Sequence, residues 1–275
     1  MSLKVLMICP EFIPKMGGAE IQAFNLSKTL QSKGVDVRVL TRLSDKSWKK
    51  EEVLEGIPVQ RVDYPRIRLI GGVLLNTCLA WNILTRYRDF DVFHFHIGGN
   101  HMVLPLLFLK IVKKPVVLKV SGWWELERGF LSNRGSIPWI LRMVFFRSDA
   151  IIALSDEIKK QLSYFGFPRQ RIVSLPNGVN TQHFAPISHD NDCCRVVFVG
   201  RMVTEKGVPV LLQAVAKLQA EFPGLSLDLV GDGYEMDTLR AMTGELGLQD
   251  TVNFLGRMND VTSVLKRAED RKSVV

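Results

Sequence analysis

The chain has 275 residues, enough for one large or two medium domains, with 47% hydrophobic and 23% charged residues, an ordinary globular balance. Its formal net charge of +8 is uneven: residues 1–185 hold 26 Lys and Arg against 15 Asp and Glu, while residues 186–275 hold 10 against 13. A basic first half suggests an anionic partner, either a membrane surface or a phosphorylated acceptor, and no nucleic-acid motif accompanies it. Cys9, Cys78, Cys193 and Cys194 form no C-x-x-C pair and no zinc-type spacing with histidine. Free thiols behind an N-terminus that reads as a strand, not a secretory signal, predict a cytoplasmic protein.

The first half alternates short apolar runs with helical patterns, the signature of a parallel α/β sheet. Strands are predicted at Leu3–Cys9, Val35–Thr41, Pro58–Val62, Val92–Phe95, Pro115–Val120 and Ala150–Ala153. Between them, helices fit a segment from Ile21 to near Gly34, then Gly72–Tyr87, Met102–Val112, Ile137–Phe146 and Asp156–Phe165. Residues 175–192 are rich in turn formers and read as a linker. Three βα units follow. Their strands are Arg195–Val199, Leu225–Val230 and Thr251–Leu255, and their helices Val208–Phe222, Met236–Leu246 and Val261–Ala268. Three strands would leave an open sheet edge, so the second domain is expected to be incomplete.

Three glycine motifs sit at predicted strand ends, where open α/β sheets bind ligands. Gly17-Gly18-Ala19-Glu20 precedes the first helix, whose free N–H groups suit a phosphate. A plain tight turn explains it equally, and it lacks the G-x-G-x-x-G pattern of dinucleotide sites. Gly200-Arg201-Met202-Val203-Thr204-Glu205-Lys206-Gly207 carries two cations that could hold a diphosphate and stabilise charge on it as it departs; the alternative is two solvated loop cations. Gly231-Asp232-Gly233 could admit a ligand closely or form an Asp-Gly turn. His94 and His96 share a strand face near His101, which leaves both a metal site and a structural His94 open.

Together with Pro176-Asn177-Gly178-Val179-Asn180 and Phe254-Leu255-Gly256-Arg257, these motifs resemble, in order and spacing, the group-1 retaining glycosyltransferases of GT-B type. The resemblance covers nearly the whole chain and is most specific in Gly-Arg-x-x-x-x-Lys-Gly followed by Gly-Asp-Gly. It implies two Rossmann-like domains facing across a cleft: residues 1–185 for the acceptor and a partial 186–275 for the nucleoside-diphosphate-sugar donor. It also implies catalytic roles for Arg201 and Lys206, and donor contacts from Gly17, Gly18, Asn177, Gly200, Gly231, Gly233 and Gly256. A cleft-facing His96 and Ser121 would lie near acceptor or sugar, and no metal or other cofactor is required. The acceptor would be a polysaccharide, lipid-linked or other envelope carbohydrate, handled by a cytoplasmic enzyme peripheral to the membrane. Two departures stand out. Ser121 or Gly122 occupies the place where many relatives carry a histidine, and no two glutamates show the family's Glu-x(7)-Glu spacing. The second departure favours either a chain truncated in its donor domain, with little turnover as it stands, or an inactive nucleotide-sugar-binding fragment. A nucleotide-sugar epimerase of the same architecture fits the linker and the Gly-Arg-Lys-Gly pattern less well.

The last sequence feature is Leu69–Thr85, which has no charged residue and is flanked by Arg66, Arg68, Arg86 and Arg88. It is at the short limit for a spanning helix. It reads as a helix buried against the sheet or as a face docking on anionic membrane.

Overall fold

A computed structural model describes residues 2–15, 17–68, 70–120, 122, 142–182, 184, 194–258 and 260–268. By internal contacts the chain divides into two compact units, Met1–Gly178 and Val179–Val275.

The first unit is built on an eight-stranded sheet: β1 (Lys4–Ile8), β2 (Asp36–Arg42), β3 (Glu51–Leu54), β4 (Ile57–Val62), β5 (Val92–Phe95), β6 (Val116–Val120), β7 (Ala150–Ala153) and β8 (Ile172–Ser174). Their order is β3-β4-β2-β1-β5-β6-β7-β8, parallel except for the β3–β4 pair. Chain order runs outward from β1 to β2 and β4 on one side and from β5 to β8 on the other, so the topological switch point lies between β1 and β5. The predicted strands of this half are all present. The antiparallel β3 was not anticipated: it pairs through the two-residue turn Glu55-Gly56, both at positive φ (47° and 88°), as tight hairpins demand. The three-residue edge strand β8 was likewise not anticipated.

β1 is apolar on both faces because helices cover both. Val5, Met7 and Cys9 pack on the side of α1 (Gly18–Ser32), while Leu6 and Ile8 join the larger cluster under α2 (Gly71–Arg86) and α3 (Val103–Ile111). Each fully buried aliphatic side chain there contributes about 1.5–3 kcal/mol. α2 buries Leu75, Asn76, Leu79 and Ile83 along one stripe, and leaves Val73, Trp81 and Leu84 exposed. Asn76 is satisfied: its amide donates to the carbonyls of Gly72 (2.9 Å) and Asn100 (2.8 Å), and its oxygen accepts the Leu104 N–H at the start of α3. From Gly71 onward the uncharged run is therefore an amphipathic helix packed on the sheet. Among the described residues no helix is long and apolar enough to cross a membrane. α4 (Asp156–Tyr164) starts at Ser155, whose hydroxyl accepts the Ile158 N–H. The helix expected at Ile137–Phe146 lies mostly outside the described residues, of which 142–145 are helical.

The second unit carries a parallel sheet of order β11-β10-β9: β9 (Arg195–Val199), β10 (Ser226–Val230) and β11 (Val252–Gly256). α5 (Val208–Leu218) and α6 (Met236–Glu245) cover one face with Leu212, Val215 and Leu239 against Phe198, Leu227 and Leu229. The short α7 (Thr262–Leu265) covers the other, where Val264 meets Val197 and Val230.

Candidate functional site

In the second unit the loops leaving the three strands are joined by backbone hydrogen bonds. Gly200 N–H donates to Val230, Met202 N–H to the Asp232 carbonyl, Gly231 N–H to the Gly256 carbonyl, and Glu235 N–H to Met202, all at 2.8–3.1 Å. The glycines follow from this closeness. A Cβ on Gly231 would overlap the Gly200 carbonyl oxygen, and one on Gly233 the Met202 carbonyl oxygen. Gly231 also sits at φ 139°, a conformation L side chains rarely adopt. Their close neighbour is thus the loop after β9, which they press into shape. Gly256 (φ 67°) turns the chain out of β11.

That shaped loop carries Arg201, exposed, and Lys206, half-buried, followed by Gly207 in the left-handed region (φ 66°) at the start of α5. Neither cation makes an ion pair with a described residue, and the positive end of α5 adds to their field. The loop is braced from the next one: the Thr204 hydroxyl donates to Glu235 Oε1 at 2.7 Å and lies 3.0 Å from the Tyr234 hydroxyl. A polar shelf at strand ends with two uncommitted cations can bind a multiply charged anion and offset charge building on a leaving group.

In the first unit the switch point is polar. α1 begins at Gly18 with Gly17 as its N-cap and no side-chain cap, so its first N–H groups are open to a ligand. The Glu20 carboxylate folds over Gly17, in space a Cβ would need, and a phosphate there would have to displace it. On the sheet face toward α1 lie His94, His96 and Lys119. The imidazoles of His94 and His96 are 5.6 Å apart, and His96 Nε2 is 3.5 Å from Lys119 Nζ. Burial, with Lys119 nearby, lowers His94 to about 4; burial, then Lys119 and His94, lowers His96 to about 2. Both are neutral imidazoles at physiological pH. His96, expected to face the cleft, is fully buried instead, because β5 turns it inward beneath the start of α1. His101 lies off this face and is lowered to about 4 by burial and by Arg42. Among the described residues no three His, Cys, Asp or Glu side chains are grouped to hold a metal.

Asn177 follows β8, and its Oδ1 accepts a 2.7 Å hydrogen bond from Lys119. Gly178 accepts one from Gln22 of α1 at 3.3 Å. Ser121 lies outside the described residues. Thus Gly17, Gly18, His96 and Asn177 gather in the first unit, and Gly200, Arg201, Lys206, Gly231, Gly233 and Gly256 in the second.

Three features are missing from the sequence expectations. Lys119 is the lone charge in the apolar run Val116-Val117-Leu118-Lys119-Val120, a signal that was available. Within the β1–α1 loop, buried Glu11 is bonded by Arg42, Ser44 and Lys15. Its burial opposes ionisation, but these partners outweigh that and hold the carboxyl below its usual range. Arg61, with a fully buried side chain, binds the Ile13 carbonyl at 2.7 Å, pairs with Glu52 and lies over the Trp48 ring.

Alternating β and α elements with glycine loops at the strand ends define an open α/β architecture of the kind that binds ligands at those ends. The chain belongs to the glycosyltransferases: the model of Glycosyltransferase Family 4 matches residues 16–183 and that of Glycosyl transferases group 1 residues 180–269. It is 29% identical to a phosphatidyl-myo-inositol mannosyltransferase of Mycolicibacterium smegmatis over 94% of this chain and 66% of the relative. It is 33% identical to the lipopolysaccharide core biosynthesis glycosyltransferase LpsE of Rhizobium meliloti over 91% of this chain and 67% of the relative. Among solved structures, Anabaena HepE in complex with UDP-glucose superposes with a TM-score of 0.74 at 18% identity, covering 97% of this chain and 72% of that one, which shows the GT-B fold. The chain thus spans about two thirds of the length of these curated relatives.

Proposed function

We propose that the protein transfers a hexose from a nucleoside-diphosphate sugar to a polysaccharide, lipid-linked or other envelope acceptor, with retention of anomeric configuration and without a metal. The observation that carries this reading is the second unit's shelf: three loops tied by backbone hydrogen bonds, presenting Arg201 and Lys206 beside the N-terminus of α5. Two fixed cations in place of a metal match the charge of a departing diphosphate. The donor class is supported by the UDP-glucose complex of the structural neighbour HepE. Support for the acceptor class comes from relatives, among them a GDP-mannose:cellobiosyl-diphosphopolyprenol alpha-mannosyltransferase of Komagataeibacter xylinus.

In this reading Arg201 binds oxygens of the diphosphate through its planar fork, and Lys206 acts as a point charge that gains as the glycosidic bond breaks. The open N–H groups at Gly17 and Gly18 offer a second oxyanion contact. The basic first unit suits work at the cytoplasmic face of an anionic membrane, with the exposed stripe of α2 toward it. A thermal-shift screen of nucleoside diphosphates and their sugars identifies the donor. Transfer is then followed with and without chelator, and the product's anomeric configuration is read by NMR. No stabilisation by any nucleoside diphosphate overturns the reading.

A further inference from the structure

Lys119 is one residue from the end of β6, on the sheet face that α1 covers, and is almost completely buried. Among the described residues its ammonium reaches the side chains of Asn177 at Oδ1 (2.7 Å) and His96 at Nε2 (3.5 Å). An ammonium has only donors, so each facing atom must accept. That settles two questions that an amide and an imidazole otherwise leave open. The oxygen of Asn177 is turned inward, so its NH2 is turned away from Lys119, on an exposed residue. Facing the ammonium, Nε2 of His96 carries the lone pair, which puts the ring proton on Nδ1, a buried atom without a hydrogen-bond partner among the described residues.

From this we propose that Lys119 is a positioning residue that sets the polarity of the first unit's crevice. By holding Asn177 by its oxygen, it commits the outward half of that amide to donation. A freely rotating Asn presents donor and acceptor in turn; this one presents N–H only. The N–H groups at the start of α1, over which the Glu20 carboxylate folds in this structure, have the same sign. The group this crevice accepts is therefore an oxygen with free lone pairs, either of a phosphate or of a sugar hydroxyl. The identity of the ligand rests on the transferase reading above; the polarity lock does not.

Two arms test it on the whole chain. In 15N NMR of histidine-labelled protein at pH 7, with His96 assigned by its loss in His96→Gln, the lock predicts a neutral Nδ1–H tautomer. In Lys119→Met the common Nε2–H form should return. The second arm is steady-state kinetics with the donor found in the screen. Asn177→Ala and Lys119→Met should each raise one substrate's KM about tenfold, the scale of one hydrogen bond in a charge-assisted set. Lys119→Met should add less than about twofold on top of Asn177→Ala, because its effect passes through that amide. Asn177→Asp is the sharpest variant. It keeps an acceptor for Lys119 but replaces the outward NH2 with oxygen, so it should lose as much as Asn177→Ala.

A raised inhibition constant for the nucleoside diphosphate alongside the donor KM assigns the contact to a phosphate. A raised donor or acceptor KM with unchanged diphosphate inhibition assigns it to a sugar oxygen. Wild-type kinetics in Asn177→Asp, independent losses in the double variant, or an Nε2–H tautomer of His96 in the wild type would each overturn the proposal. Should Lys119→Met fail to fold, Asn177→Asp and the wild-type tautomer decide. Should the wild-type chain transfer from no donor, the NMR arm alone judges Lys119.

Discussion

Gly231 lies so close to the carbonyl of Gly200 that a single added carbon at Gly231 would overlap the oxygen. The contact joins the ends of β9 and β10, and with Gly233 against Met202 it explains why two glycines frame Asp232. They serve loop-to-loop packing in the second unit, and the loop they shape carries both candidate catalytic cations.

Gly231→Ala should therefore cost roughly 2–4 kcal/mol, combining a φ of 139° with a backbone overlap that no side chain can relieve. Gly244→Ala, in α6 with only the Gln249 amide 3.8 Å from the added carbon, should be neutral or gain up to about 1 kcal/mol. Denaturant unfolding of the two variants checks the contrast; equal effects would contradict it.

Arg61→Ala should cost about 3–5 kcal/mol, because it strands Glu52 and leaves the Ile13 carbonyl without its donor in a buried site. Arg61→Lys should not restore stability, since an ammonium cannot reproduce a fork that serves Ile13, Glu52 and Lys49 together. Urea midpoints measure both. A Lys variant as stable as the parent would show that charge alone suffices.

Acid should destabilise the first unit. His94 and His101 are lowered to about 4 and His96 to about 2, against an unfolded value of about 6.5. Between pH 6.5 and 4 the unfolded chain takes up protons that the folded chain refuses, so stability falls as pH falls. The limit is about 1.4 kcal/mol per pH unit for each histidine. Glu11, held below its ordinary range, adds to the loss at still lower pH. Unfolding free energies from pH 7.5 to 4.5 should decline, and His101→Phe should flatten the slope. A flat profile in the parent would exclude buried neutral histidines.

Anionic vesicles should recruit the protein. Val73, Trp81 and Leu84 form the exposed stripe of α2, flanked by Arg66, Arg68, Arg86 and Arg88. Arg86 pairs with Glu51 and Arg66 is bonded to the Leu43 and Ser44 carbonyls, while Arg88 has only a loose, solvent-exposed contact with Asp89 at 3.9 Å, so Arg68 and Arg88 should contribute most, about 1 kcal/mol each. In flotation assays binding should need anionic lipid, fall at high salt and weaken in Arg68→Gln/Arg88→Gln. Equal recovery with neutral vesicles, or none with either, would leave α2 as a packing helix alone.

The parallel sheet was legible because β1 and its neighbours are covered on both faces and read as unbroken apolar runs. β3 was not: Glu51-Glu52-Val53-Leu54 is an edge strand half in solvent, stabilised by a Glu-Gly turn rather than by an Asn-Gly signal. The glycine loops were legible as motifs, but not the reason for Gly231 and Gly233, which depends on a loop about thirty residues away in sequence. Likewise, the face that His96 presents depends on which side of the sheet α1 covers. Lys119 gains its significance only from Asn177, a partner brought near by the order β5-β6-β7-β8.

The central claim is that the shelf bearing Arg201 and Lys206 binds a nucleoside diphosphate. Isothermal titration calorimetry of the parent, Arg201→Ala and Lys206→Ala with the diphosphate selected in the screen tests it most directly. The parent should bind, and each variant should lose about 1.5–3 kcal/mol, the range for hydrogen bonds to charged groups. Unchanged affinity in both variants would contradict it.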